Sequence, residues 1–306
     1  MRTAARETTN WQLRGRSLEL GRRTLVMGIV NITPDSFSDG GAFLDPKAAV
    51  AHALQLLDEG ADLLDLGAES TRPGSRAGGV AGSALAPTVS AEEEQARLLP
   101  VVLGILRAQP HAVLSVDTYK AATARAALEA GAAIVNDVSG FAWDTKMAAV
   151  CAEFGCGVVP MHTRGRPGEW RTQPAMDSDA MMATVRAGLE TSLAEADRAG
   201  IAREAIVLDP GYGFGKRGDD NYALLARQEE LLALGRPLLV GVSRKSFLGR
   251  TLAATDDVAV PVAARETASV AALTAAILHG ASLVRVHAVR AAVEAARVAD
   301  AVLAAR

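Results

Sequence analysis

A small set of side chains in this sequence has the types and settings to do chemistry. Arg72, Lys245, Arg285 and His287, with neighbouring Ser and Thr hydroxyls, offer the charge and donors of an anion pocket of the kind that holds phosphate. Asp117, Asn136 and Asp209 offer the opposite, two carboxylates and an amide set at the ends of apolar runs. A buried carboxylate must be matched by donors. A planar heterocycle with an amino-pyrimidinone edge presents two adjacent N–H groups, which suits a carboxylate. Together these residues suit an enzyme that joins a polar heterocycle, a phosphate-like anion and a third group.

Blander roles stand beside these. Asp209 precedes Pro210 and also suits a turn, and Asp117 with Thr118 also suits a helix cap. His162 suits a core histidine as well as a site, while His52, His111 and His279 fall in helical stretches or at a strand start and receive no role. Lys245, in "SRKS", is harder to set aside, because lysine is rarely buried without a partner. "GYGFGK" is rich in glycine but lacks the spacing of a nucleotide-binding loop.

The elements that must position these residues follow one pattern. A helix rich in Ala and Leu ends at a glycine, and an apolar β run then ends in polar residues. "LLDEGADLLDLG", "LEAGAAIVNDVSG" and "ILHGASLVRVH" align on Gly60, Gly131 and Gly280, with looser versions in "FGCGVVPMH" and "AGIAREAIVLDPG". Such runs predict eight strands near 25–31, 62–67, 111–117, 133–137, 157–162, 205–209, 237–243 and 282–287. Helices fit near 46–59, 90–107, 119–130, 146–154, 178–199, 220–233, 264–279 and 289–304. Asp45-Pro46 is a helix start, and Ser90 with Glu93 is a capping box. This alternation predicts an α/β fold, a (β/α)8 TIM barrel, with a doubly wound open sheet as the alternative. "WQLRGRSLELGRRT" predicts a short N-terminal β-hairpin, within an extension over 1–24, that covers the barrel's bottom. Barrel enzymes carry function at the C-terminal ends of their strands, and all eight ends here are polar.

Composition narrows the class. The 306 residues are 49% apolar but only 4% aromatic, so Ala, Val and Leu must build most of a core spanning one domain over 1–306. A net charge of −3 gives no global field to recruit nucleic acid or an anionic membrane. No apolar run reaches the roughly 18 residues of a membrane span, and the first residues lack a signal-peptide apolar region. Cys151 and Cys156 match no metal or redox spacing and are expected as reduced thiols, so a cytoplasmic protein is expected.

The motifs "MGIVNITPDSFSDGG", "ESTRPG", "SVDTYK", "VNDVSG", "LDPGYGFGK", "GVSRKSFLG" and "RVH" resemble those of dihydropteroate synthase, in the same order and at the expected strand ends. The resemblance runs from about 25 to 304. It implies a (β/α)8 homodimer that condenses 6-hydroxymethyl-7,8-dihydropterin diphosphate with p-aminobenzoate in folate biosynthesis, releasing pyrophosphate. It further implies that Asp117, Asn136, Met161, Asp209 and Lys245 bind the pterin. Thr71, Arg72, Arg285 and His287 would hold the diphosphate, with Asn31 ligating Mg²⁺ on it. Phe37, Thr71, Pro73, Phe214 and Ser246 would border p-aminobenzoate. Asp35, Lys245 and Arg285 would carry the catalysis, with Asp35 near the reacting methylene. "NITPDSFSDGG" then becomes a lid over the mouth, with Gly40 and Gly41 as its hinge.

Four departures from the family pattern stand out. The loop over 75–89, small and glycine-rich, is longer than expected. Trp170 and Arg171 stand where Met and Gln are expected, Ala288 where Asp is common, and Ala68 where Gly is usual. Two competitors remain: a methyltransferase that passes methyl from a methyl-folate to a corrinoid, and a pterin-binding paralogue without catalysis. The first needs no anion cluster, and the second needs a broken catalytic residue.

Overall fold

The computed structural model describes residues 6–33, 45–70, 89–253 and 259–306. Asp35, Phe37, Gly40, Gly41, Thr71, Arg72 and Pro73, with all but the last residue of the 75–89 loop, lie outside them.

An antiparallel hairpin comes first, β1 (Thr9–Leu13) paired with β2 (Arg16–Leu20). Seven parallel strands follow: β3 (Leu25–Asn31), β4 (Leu63–Gly67), β5 (Leu114–Asp117), β6 (Ile134–Asp137), β7 (Gly157–Pro160), β8 (Leu238–Val240) and β9 (Ala281–Val286). Their order in the sheet is β7-β6-β5-β4-β3-β9-β8, and they are buried almost throughout. Burial on both faces is why these runs are apolar without alternation.

The predicted strand near 205–209 is not a regular strand. It joins β7 and β8 only through isolated parallel bridges, Val158 with Ile206, Met161 with Asp209, and Leu208 with Leu238. Prolines explain the short ladder. Pro160 and Pro237 accept from Asp209 and Leu208 through their carbonyls, but neither they nor Pro210 has an N–H to give back. These bridges still close the sheet into the TIM-barrel ring, so the open sheet is excluded.

Helices fill the connections: α1 (Pro46–Asp58), α2 (Ala91–Ala108), α3 (Ala121–Glu129), α4 (Met147–Phe154), α5 (Ser178–Ala199), α6 (Asp220–Ala226), α7 (Ser246–Thr251), α8 (Glu266–Leu278) and α9 (Val289–Ala304). The predicted helix over 220–233 is broken, turning 3₁₀ over Gln228–Leu234, and α7 was not foreseen. Asp45 caps α1 as expected. At α2 only half of the capping box forms: Ser90 Oγ accepts from Glu93 N at 3.1 Å, while the Glu93 carboxylate pairs with Arg97. Gly60, Gly131 and Gly280 have φ of 104°, 112° and 96°, the conformation expected of glycines that end helices.

The core has two parts. One lies between sheet and helices and includes Leu64, Leu66, Val116, Leu128 and Val284. The other fills the lower barrel, where Met27, Leu63, Ile134, Val159, Leu239 and Leu283 meet Trp11, Leu13 and Leu20 of the hairpin. Trp11 is buried and gives its indole N–H to the Ala205 carbonyl at 2.8 Å. The hairpin thus plugs one end with apolar side chains, and the hollow is confined to the other.

Candidate active site

That hollow is a cavity of about 420 Å³. Its lining includes Asn31, Asp117, Asn136, Met161, Asp209, Phe214, Lys245, Ser246, Arg285 and His287, every described residue that the motifs single out for the site. Strand register explains the gathering. Parallel pairing sets Gly67 beside Asp117, and Asp117 beside Asn136, so the acceptors stand together on one rim. The isolated bridge between Met161 and Asp209 continues that rim.

Arg285 lies at the centre. Its Nε donates to Asp65 Oδ2 at 2.6 Å and its Nη2 to Asp117 Oδ2 at 2.8 Å. Burial disfavours its charge, but the two carboxylates outweigh that and raise its pKa. Burial pushes Asp117 up to about 7 despite the neighbouring Arg285. Lys245 is pushed down to about 8, first by burial and then by repulsion from Arg285. Its ammonium lies 3.9 Å from the centroid of the Phe214 ring, a cation–π contact. Arg244, just before it, has φ of 58°, a left-handed conformation that is costly outside glycine. The backbone there is held by Arg244 N donating to Ser269 Oγ at 2.8 Å, and so the turn aims Lys245 inward.

The remaining acceptors are also fixed. Burial raises Asp209, whose Oδ1 accepts from Gly211 N at 2.7 Å. Asp137, next to Asn136, serves its own loop: it accepts from Ser139 N, Ser139 Oγ and Phe141 N at 2.7–2.8 Å. Ser243 Oγ and His287 Nδ1 share a hydrogen bond of 3.0 Å. His162 is buried outside the cavity lining, packed near Gly188 of α5, and burial lowers its pKa first among the causes. It is a core histidine.

Four features were not foreseen. Asp65, wholly buried, holds Arg285 from below. Glu69 lines the cavity and, with Glu94, pairs with Lys120, whose ammonium also lies over Tyr119. Trp170, one of the departures, packs edge-on against Phe214 with centroids 4.9 Å apart, while Arg171 lines the mouth. Lys216, from "GYGFGK", turns inward and donates to the carbonyls of Gly211 at 2.6 Å, His162 at 3.3 Å and Phe214 at 3.4 Å. Burial disfavours its charge and pushes it down to about 7, so near neutrality it is protonated only part of the time and its contribution to the fold is as a donor. Lys216→Met is therefore expected to destabilise the fold by about 1–3 kcal/mol, the cost of orphaning buried carbonyls, in denaturant unfolding at pH 7.5. An unchanged midpoint would deny the loop this anchor.

The family model for pterin binding enzymes matches residues 27–287. Dihydropteroate synthase of Mycobacterium leprae is 45% identical over 276 residues, covering 90% of this chain and 92% of that protein. The chain belongs to the dihydropteroate synthase family. The solved structure of the Xanthomonas albilineans synthase with 4-aminobenzoic acid superposes with a TM-score of 0.83 at 41% identity, over 97% of this chain and 99% of that one. The same synthase in complex with 7,8-dihydropteroate gives 0.80 at 39% identity, over 96% and 99%. No helix among the described residues is long and apolar enough to cross a membrane.

Proposed function

We infer that the chain is a dihydropteroate synthase, an alkyl transferase that joins 6-hydroxymethyl-7,8-dihydropterin diphosphate to p-aminobenzoate and releases pyrophosphate and 7,8-dihydropteroate. Family membership supports the reaction. The observation that carries it into this site is a single cavity that sets Asp117, Asn136 and Asp209 against Lys245 and Arg285.

Asp117, Asn136 and Asp209 take the N–H edge of the pterin, Met161 packs on it, and Lys245 donates to it. The methylene carbon loses its bond to the diphosphate oxygen, which leaves with the electron pair, and gains a bond from the arylamine nitrogen, which then sheds a proton. The arylamine attacks as the neutral base, so no strong general base is needed. Leaving-group charge is what must be stabilised. Among the described residues Arg285 spends only Nε and Nη2 on protein carboxylates, so Nη1 remains for a diphosphate oxygen, with His287 also lining the cavity. Phe214 and Ser246 border the arylamine. By family pattern Thr71 and Arg72 would add to the diphosphate site, Phe37 and Pro73 to the arylamine site, and Asp35 would act near the methylene.

The described residues contain no cluster of three or more His, Cys, Asp or Glu that would hold a metal alone. Asn31, a single amide at the end of β3, suits Mg²⁺ brought with the diphosphate, since Mg²⁺ takes few protein ligands beside substrate phosphates. The charge of a Mg²⁺ held there would help to neutralise the leaving diphosphate. A homodimer is supported by Val298 and Val302, exposed one turn apart on α9. Two buried free thiols, Cys151 and Cys156, suit the reducing cytoplasm.

Incubation with pterin diphosphate, labelled p-aminobenzoate and Mg²⁺ is expected to give labelled dihydropteroate and one pyrophosphate per turnover. Folded protein that makes none overturns the synthase. A methyltransferase passing methyl to a corrinoid would share the pterin pocket but needs neither Arg285 nor His287.

A further inference from the structure

We propose that Asp65 is a positioning residue that joins the two halves of the site, fixing Asn136 for the pterin and Arg285 for the diphosphate through one carboxylate oxygen. The inference rests on the synthase assignment above and goes beyond it to a residue that does not line the cavity.

The placement follows from β4. In "LLDLG", Leu64 and Leu66 face the helices, so Leu63, Asp65 and Gly67 face the barrel interior. Leu63 belongs to the apolar plug around Trp11, and Gly67 lies at the cavity. Asp65 is the layer between them, with none of its surface exposed. A carboxylate there is costly to bury unless donors meet it. Its Oδ2 accepts from Arg285 Nε at 2.6 Å and from Asn136 Nδ2 at 2.9 Å. Both donors converge on this one atom, while Oδ1 has no hydrogen-bond partner among the described residues.

Each contact fixes an orientation. Accepting from the Asn136 amide nitrogen points that side chain's nitrogen at β4 and leaves its carbonyl oxygen for a ligand donor. Accepting from Arg285 Nε, the inner corner of the guanidinium, sets the plane of the fork; Asp117 then takes Nη2 and Nη1 is left over. A side chain that touches no ligand thus sets the acceptor for one substrate group and the donor for another. Supporting contacts of this kind change ligand affinity when removed even though the ligand never meets them.

The test is binding by the full-length protein, with two probes measured separately: 6-hydroxymethylpterin, which has no diphosphate, and pyrophosphate with Mg²⁺. In Asp65→Asn an amide oxygen can take the Oδ2 place, but only as a neutral acceptor, and the charge that strengthens both contacts is lost. Affinity for both probes is expected to fall about ten- to a hundredfold, with KM for p-aminobenzoate within about twofold of wild type. Arg285→Lys keeps the charge but cannot offer the same fork. It is expected to weaken pyrophosphate more than the pterin, whose Asp117 it also contacts, and adding Asp65→Asn to it should weaken pyrophosphate no further, as required if Asp65 acts there through Arg285. Asp65→Ser, which leaves room for water, gives the same comparison if Asp65→Asn does not fold. Folded Asp65 variants that bind both probes like wild type overturn the proposal, as do losses that add in the double variant. Wild-type protein that binds neither probe overturns the synthase assignment instead.

Discussion

Arg285→Ala and Lys245→Ala should each lower turnover by about two to three orders of magnitude, the usual loss when a preorganised charge-stabilising group is removed, yet they should act oppositely on stability. Removing Arg285 leaves Asp65 and Asp117 without the cation that both now contact. Breaking a buried pair in this way costs about 3–5 kcal/mol. Lys245 is different: it makes no ion pair with a described residue, rests on Phe214, and is pushed down to about 8 mainly by burial. Its loss removes a charge that the fold disfavours. Thermal melts and steady-state rates on the same preparations separate the two cases. The expected pattern is an Arg285→Ala protein that is slow and melts early, and a Lys245→Ala protein that is slow and melts at or above wild type. Near-wild-type turnover in both would remove the cationic cluster from the mechanism. Arg285→Ala melting like wild type would mean that the carboxylates do not depend on it.

The same cluster sets a narrow pH window. Pterin binding needs Asp117 ionised and Lys245 protonated. With Asp117 up at about 7 and Lys245 down at about 8, kcat/KM for pterin diphosphate in the free enzyme should be bell-shaped, with a maximum between those values. Because both groups interact with Arg285, the limbs belong to the cluster as a whole. Asp117→Asn should remove the acid limb and Lys245→Gln the alkaline one. A flat profile from about pH 6 to 9 would break the assignment. The stability signs run the other way. A raised Asp117 penalises the fold fully above about 7, and the penalty fades as pH falls toward the ordinary 3.8. A lowered Lys245 penalises it fully below about 8, and that penalty fades as pH rises toward 10.5. The window of best activity is therefore one in which both groups destabilise the empty protein.

Much of this was legible in the sequence, and the failures have identifiable causes. Runs buried on both faces, three of them preceded by the helix-ending Gly60, Gly131 and Gly280, located seven strands, because those signals depend on local backbone needs. The segment over 205–209 looked equally apolar, but pairing depends on its neighbours, and their prolines shortened the ladder. At the site, Asp117, Asn136, Asp209, Lys245 and Arg285 were visible because they lie at or just beyond the ends of apolar runs, where barrel function concentrates. Asp65 sits two residues short of its strand's end and passed for part of a buried run; the alternation Leu64, Asp65, Leu66 was the available clue. Lys216 was weighed only as part of a nucleotide loop, and nothing in a lysine's sequence context says that three carbonyls await it. Trp170 was noticed as a departure, but its role beside Phe214 is a tertiary contact that spacing cannot reveal.

The ring's closure governs how the chain can be assembled. Strand β3 pairs on one side with β9, Leu25 opposite Leu283 and Val26 opposite Val284, and the Arg6 side chain donates to the Ala281 carbonyl. During synthesis β3 emerges long before that partner does, and β8 precedes it by two helices. Until β9 is translated, the open edges of β3 and β8 are rows of unmet backbone donors and acceptors on apolar strands, the condition that favours misassociation. Loop closure over most of the chain must precede the final pairing, so folding is slow as well as late. The nascent chain is thus most vulnerable just before β9 emerges, and a ribosome stalled ahead of β9 would carry an aggregation-prone open sheet.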